Sequence, residues 1–241
     1  VTTVALLLLA PPSEVSALQQ QGPETEGQRQ LAPEGQGLQQ RFVVLLDAAH
    51  GGAETGARLR DQPDQLLEKD LVLALSVRLR SVLTAHGIAV VTTRETDTNP
   101  APDSRAAVAN RAHASACLLL HATASGTGVH LYTSALQQTA PPAGLRPWAT
   151  AQAAFLTQSL KLSSDLNAAL GHASIPVTLG SVSLQPVDNM ACPAVILEVA
   201  PLIPRRGKAG AAVGDQAYQT RLVDAVGGAL EQWRADWKTQ P

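Results

Sequence analysis

Short, nearly unbroken apolar runs recur along residues 42–199, and stretches of helical period separate them. The first run is Phe42-Val-Val-Leu-Leu46, which stops at Asp47. Runs this short and this continuous read as strands buried on both faces. Ile88-Ala-Val-Val-Thr-Thr93 is the second, Cys117-Leu-Leu-Leu-His121 the third and Pro193-Ala-Val-Ile-Leu-Glu198 the last of the core set. Val129–Thr133 and Val177–Leu184 read as further strands. In between, Leu71, Val72, Leu75, Leu79, Val82 and Leu83 fall on one helical stripe, while Arg78, Arg80 and Ser81 lie off it. That helix should end at His86-Gly87. Gly87 suits the left-handed position past a helix end, and His86 suits its negative pole. Ser104–Ser115 predicts a short helix with Ala107, Val108 and Ala112 on its apolar side. Trp148–Leu170 predicts a long helix stopped by Gly171, and Asp215–Trp237 a closing helix capped by Asp215. Strands alternating with helices imply an α/β domain with a mainly parallel sheet.

The pattern fails at the N-terminus, and this sets the expected organisation. Residues 1–17 carry the apolar run Val4–Ala10, too short to span a bilayer, followed by Val15-Ser-Ala17, which would serve as a small-residue cleavage site. They read as an export-signal remnant without a basic leader. Residues 18–40 are rich in Gln, Pro, Glu and Gly, lack apolar periodicity and read as a flexible linker. Residues 41–241 form the expected folded domain. Over the whole chain, 45% hydrophobic and 16% charged residues leave material for one sizeable core. The net charge of -2 and the 3% aromatic content argue against nucleic acid as a partner. No membrane span is expected.

Chemistry concentrates where the strands stop. The first strand leads into His50 and a glycine pair, the third ends at His121 and the last at Glu198. Open α/β sheets bind ligands at such carboxyl edges. Glu68 lies at the start of the first helix, where complementing the helix dipole would also explain it. Two imidazoles and a carboxylate with one open position form a common catalytic zinc set, and a further carboxylate can serve as general base. The ligands are dispersed, with no short metal motif.

The motifs in order carry a resemblance. Asp47-Ala-Ala-His-Gly-Gly-Ala-Glu-Thr-Gly-Ala57, Glu68-Lys-Asp70, Thr93-Arg-Glu-Thr-Asp97, Arg105 with Ala109-Asn110, Leu119-Leu-His-Ala-Thr123 and Cys192-Pro-Ala-Val-Ile-Leu-Glu-Val-Ala-Pro201 match successive motifs of one family. The chain from Phe42 to the closing helix thus resembles the zinc-dependent N-acetylmuramoyl-L-alanine amidases of the bacterial cell wall. The resemblance implies a central six-stranded sheet flanked by helices, with His50, Glu68 and His121 as zinc ligands and Glu198 as the catalytic carboxylate. It implies hydrolysis of the amide joining the lactyl group of N-acetylmuramic acid to L-Ala of the stem peptide. Glu198 would take the water's proton and return it to the departing amine. Peptidoglycan is the implied partner, an activator protein is a second one left open, and the implied location is the periplasm or cell envelope.

Departures from the family pattern define the competing reading. Ala48-Ala49 stands where the family has Pro-Gly, and a positive φ at position 49 would cost Ala about 1 kcal/mol. Glu54, Leu119, Thr123 and Ala200-Pro201 also depart from it. They motivate a catalytically silent domain that binds peptidoglycan or a regulatory partner. A zinc peptidase acting on other small peptides is the third reading. Asp47 is a candidate to orient a ligand His, strand-end capping being the alternative. His113, His130 and His172 read as solvated or satisfied within the core. Arg94 and Arg105 read as salt-bridge residues before substrate-binding ones, and Arg205, Arg206 and Lys208 as a solvated basic loop. Cys117 and Cys192 read as buried thiols, with a disulfide open if their strands are neighbours. Some relatives carry an autoinhibitory helix over the zinc; for Trp148–Leu170, packing on the sheet explains the apolar stripe equally well.

Overall fold

The computed structural model describes residues 41–60, 65–137, 148–204 and 209–237. The export-signal and linker readings of residues 1–40 lie outside the described residues, as do the 138–147 loop and the cluster Arg205, Arg206 and Lys208.

In chain order the elements are β1 (Val43–Ala48), β2 (Arg58–Arg60), β3 (Leu66–Leu67), α1 (Glu68–Ala85), β4 (Ala89–Thr92), α2 (Pro102–Arg111), β5 (Ala116–Ala122), β6 (Val129–Ser134), α3 (Leu156–His172), β7 (Val177–Val182), β8 (Ala194–Val199) and α4 (Gln216–Trp237). Six strands form one sheet in the order β4-β1-β5-β8-β6-β7, and β2 and β3 pair as a small antiparallel ribbon outside it. β4, β1, β5 and β8 run parallel. β6 runs antiparallel to β8, and β7 parallel to β6.

The unbroken apolar strands are explained by cover on both faces. Leu46, Leu118, Leu120, Leu131 and Leu197 pack with Leu71, Leu75, Leu79 and Leu83 of α1, Leu162, Leu166 and Leu170 of α3, and Tyr218, Leu222 and Leu230 of α4. On the opposite face, Leu45, Leu119 and Ile196 meet Ala106 and Ala109 of α2, with Val187 and Met190. Alternation along a strand assigns side chains to faces, so His121, Glu198 and His130 share the face of Leu119 and Ile196.

Several expected boundaries shift. Residues 148–172 split into a 3-10 segment, Trp148–Ala154, and α3, with Phe155 between them in a non-helical conformation. Gly171 lies inside α3, and the turn closes beyond it at Ser174, φ 59. Leu162, Leu166 and Leu170 of α3 are in the core, which is the packing reading of that stretch, while Leu160 is exposed. α2 starts at Pro102, whose missing N–H costs nothing in a first turn, and ends at Arg111 before His113, φ 46. Asp215 caps α4 as expected, its Oδ1 accepting from Tyr218 N at 2.8 Å.

Cys117 and Cys192 form a disulfide, so the buried-thiol reading is corrected. The cause is strand order. β5 and β8 are direct neighbours with Cys117 opposite Ala194, and this brings the segment leading into β8 against the start of β5. Their Cα atoms are 6.2 Å apart, within bridging range.

Candidate metal and catalytic site

The site gathers at the carboxyl edge of the parallel strands. β1 delivers the chain into His50, and β5 carries His121 as its penultimate residue. Glu68 opens α1 and is 4% exposed. Its carboxylate lies between the two imidazoles, Oε2 at 3.2 Å from His50 Nε2 and Oε1 at 3.0 Å from His121 Nδ1. The rings stand nearly perpendicular, with centroids 5.4 Å apart. Backbone amides fix the carboxylate from behind. Ala57 N donates to Oε2 at 2.7 Å and Ala122 N to Oε1 at 3.0 Å. Burial pushes the Glu68 carboxyl up, but the hydrogen bonds from His121, His50 and these two amides outweigh it and hold the group well below the usual carboxylate range. The Glu68 hydrogen bond, opposed by burial, raises the pKa of His50, and Glu54 adds to the rise.

The loop holding His50 is built by polar residues that the sequence motifs contain. His50 has a φ of 59, a left-handed conformation costly for a residue with a Cβ. The positive φ falls here and not at Ala49, so the Ala that replaces the family glycine is unstrained. Two buried guanidiniums collect the carbonyls of this segment. Arg94 donates to Ala48 O and Ala49 O, and Arg105 to Ala48 O and His50 O. Arg105 also pairs with Asp47 Oδ1 at 2.7 Å, and Thr93 donates to the same oxygen. Both arginines are therefore structural, and Asp47 holds Arg105 rather than a histidine. His50 Nδ1 instead hydrogen-bonds Glu54 Oε1 at 3.2 Å, and Asn99 Nδ2 donates to the other oxygen of Glu54. Lys69 Nζ binds Gly52 O and Asp97, while Asp97 accepts from Gly52 N. Gly56, φ 66, must be glycine: a Cβ there would lie 2.5 Å from Glu68 Oε2 and 2.6 Å from His50 Cδ2.

Glu198 stands beside this cluster by register. It is the direct partner of His121 on β5 and of His130 on β6. His130 Nδ1 lies 2.7 Å from Glu198 Oε2. His130 is the residue the sequence reading missed. Among the sheet residues it alone of the row belongs to an antiparallel strand, and so it reaches the same edge from near that strand's start rather than its end. A cleft of about 220 Å³ opens on the site, lined by His50, Glu54, Asn99, Arg105 and His121 with Leu184 and Pro186 on the rim.

The donor set fits a single small cation. Metal–ligand bonds of about 2 Å bring the atoms around one ion to within roughly 4 Å of each other; the donor atoms of His50, Glu68 and His121 lie within 4.8 Å of one another, so a small inward movement of the side chains would close them round one ion. Fold and cluster together define an α/β domain with a His-Glu-His group, at the carboxyl edge of its sheet, competent to hold a metal ion.

Comparison with known proteins narrows this class. Residues 44–232 match the family described as N-acetylmuramoyl-L-alanine amidase, and the chain belongs to that family. A germination-specific N-acetylmuramoyl-L-alanine amidase of Bacillus subtilis is 41% identical over 61 residues, 25% of this chain and 24% of the relative. The amidase AmiA of Escherichia coli is 39% identical over 80 residues, 33% of this chain and 27% of the relative. The match thus spans about a quarter of the length of these relatives. Among solved structures, the Ami1 amidase of Mycobacterium smegmatis superposes with a TM-score of 0.61 at 19% identity, covering 81% of this chain and 97% of that one. The CwlD amidase of Clostridioides difficile, solved in complex with the GerS lipoprotein, gives 0.58 at 18% identity over 81% of this chain and 99% of that one. No helix among the described residues is long and apolar enough to cross a membrane.

Proposed function

We propose that this chain is a zinc-dependent amidase that cleaves the bond between the N-acetylmuramic acid lactyl group and L-Ala of the peptidoglycan stem peptide. The observation that carries the reading is the convergence of His50, Glu68 and His121 on one point, with Glu198 in the adjacent register position. His50, Glu68 and His121 hold the metal. Zinc bound there supplies Lewis acidity toward the scissile carbonyl and lowers the pKa of a water at the site. Glu198 accepts a proton from the attacking water and returns it to the departing L-Ala nitrogen, so the carboxylate is regenerated when the amide bond has broken. Glu54 orients His50 through Nδ1, a carboxylate–imidazole pairing of the kind that keeps metal ligands aligned. The cleft lined by Asn99, Arg105, Leu184 and Pro186 is where the substrate would lie. Family membership and the disulfide support an exported protein working in the periplasm or cell envelope, since disulfides persist in oxidising compartments.

The test combines metal analysis with release of stem peptides from purified murein. Wild type should carry one zinc per chain and release peptides, and His50→Ala should lose both. Glu198→Gln should keep the zinc while release falls on the order of 100- to 10,000-fold. A wild type without zinc would point to the binding-module reading. Release by Glu198→Gln at the wild-type rate would remove Glu198 from the mechanism.

A further inference from the structure

The structure assigns to His130 the task of fixing the catalytic carboxylate, making Glu198 and His130 a working pair. This rests on the amidase reading for the role of Glu198, but the pair is carried by its own geometry. Glu198 sits in the middle of a three-strand row, with His121 at its side on β5 and His130 at its side on β6. The two neighbours differ in employment. His121 is committed to Glu68, whereas His130 is committed to Glu198, its Nδ1 2.7 Å from Oε2. An ionised carboxylate only accepts hydrogen bonds, so Nδ1–H of His130 donates to it. Among the described residues Oε1 of Glu198 has no hydrogen-bond partner, and it is the oxygen left to take the proton.

The imidazole is itself held. Gly126, φ 80, lies so close that a Cβ there would be 2.5 Å from His130 Cε1 and 2.7 Å from Nε2. Tyr132, two residues along the same face, presents its ring edge-on with centroids 6.4 Å apart. Burial, with a smaller contribution from the charge of Glu198, pushes the Tyr132 hydroxyl pKa up. Below the row, the single Tyr218 hydroxyl hydrogen is shared between Gly128 O and Ala200 O, each 2.9 Å away, tying the start of β6 to the end of β8. The spacing between His130 and Glu198 is therefore set by backbone, side chain and ring contacts at once. His130 is a positioning residue: it narrows the orientations open to a carboxylate whose side chain is 28% exposed. A misplacement of about 1 Å at such a group costs on the order of 100-fold in rate.

The experiment compares wild type, His130→Ala, His130→Asn and His130→Gln by zinc content, thermal unfolding and murein hydrolysis resolved into kcat and KM. Asn places an amide nitrogen near the position of Nδ1, and Gln does not. His130→Ala should keep its zinc, with kcat down about 10- to 100-fold and KM within about twofold. His130→Asn should recover most of kcat, and His130→Gln little of it. Unchanged kcat in His130→Ala would overturn the proposal, as would equal rates for the Asn and Gln variants. Loss of zinc in His130→Ala would overturn it too, by making the residue part of the metal site. A separate readout distinguishes its failure from that of the amidase reading. The His130 imidazole nitrogen signals should move in Glu198→Gln while those of His86 stay in place. If wild type releases no stem peptide, the amidase reading falls, and an unmoved His130 signal would remove the pair as well.

Discussion

Single residues at this site are set by what competes for them. Glu68 accepts from two imidazoles and two backbone amides, and so its charge survives burial. His50 sits at the other end of that balance. Its pKa is raised chiefly by the Glu68 hydrogen bond, against desolvation. In the metal-free chain the protonated His50 stabilises the fold below its unfolded pKa, near 6.5, and that contribution is lost as pH rises through the raised folded value. Glu68 has a depressed pKa, so its contribution is present above about pH 4.5 and lost as pH falls through the folded value. With His50 as a ligand, as proposed, metal binding would have to displace its proton. Apparent zinc affinity should then fall up to about tenfold per pH unit below the raised His50 pKa. Competition with a coloured chelator between pH 5.5 and 8 would measure it, and a flat profile would contradict the proton–metal exchange.

At the scale of elements, the loop after β1 is shaped by groups from β1, α2 and the segment after β4. Arg105 of α2 makes hydrogen bonds to Pro100 O, Asp47, Ala48 O, His50 O and Asn99. Truncation to Met would leave Asp47 charged and buried, and removing one partner of a buried pair costs about 3–5 kcal/mol. Arg105→Met should therefore lower stability by about that amount in denaturant titrations and reduce zinc content. Adding Asp47→Asn should restore part of the loss. Equal stability of the single and double variants would mean that the carbonyl contacts, not the ion pair, dominate. The motif residues Lys69, Arg94 and Asp97 act in the same way, as a clamp on the glycine loop. What these three residues contact is the backbone of the loop and one another.

Across the whole molecule, the disulfide connects the starts of the two strands whose far ends carry His121 and Glu198. It closes a separation of 75 residues. Reduction, or Cys117→Ser with Cys192→Ser, should cost about 2–4 kcal/mol. Unfolding with and without reductant would measure the loss. The pairing His121–Glu198 is also held by backbone ladder and apolar faces, so zinc content of the folded fraction should persist. Zinc lost before unfolding would show that the bridge holds the site directly.

What the sequence determined by itself was local and periodic. The continuous apolar runs of β1, β5 and β8 announced buried strands, the Leu71–Leu83 stripe announced α1, and His50, Glu68, His121 and Glu198 stood at their ends. A strand buried on both faces and a helix with one apolar stripe write themselves into every residue of the segment. The tertiary structure alone decided which ends meet. β6 enters antiparallel to β8, and hydrogen-bond direction leaves no mark on residue types, so His130 looked like an ordinary mid-chain imidazole. The neighbouring order of β5 and β8 closed the disulfide in place of two buried thiols. Glu54 rather than Asp47 came to orient His50, because the guanidinium of Arg105, distant in sequence, occupied Asp47 first. Each of these outcomes depends on distances between residues far apart along the chain, and only packing of the sheet and helices sets those distances.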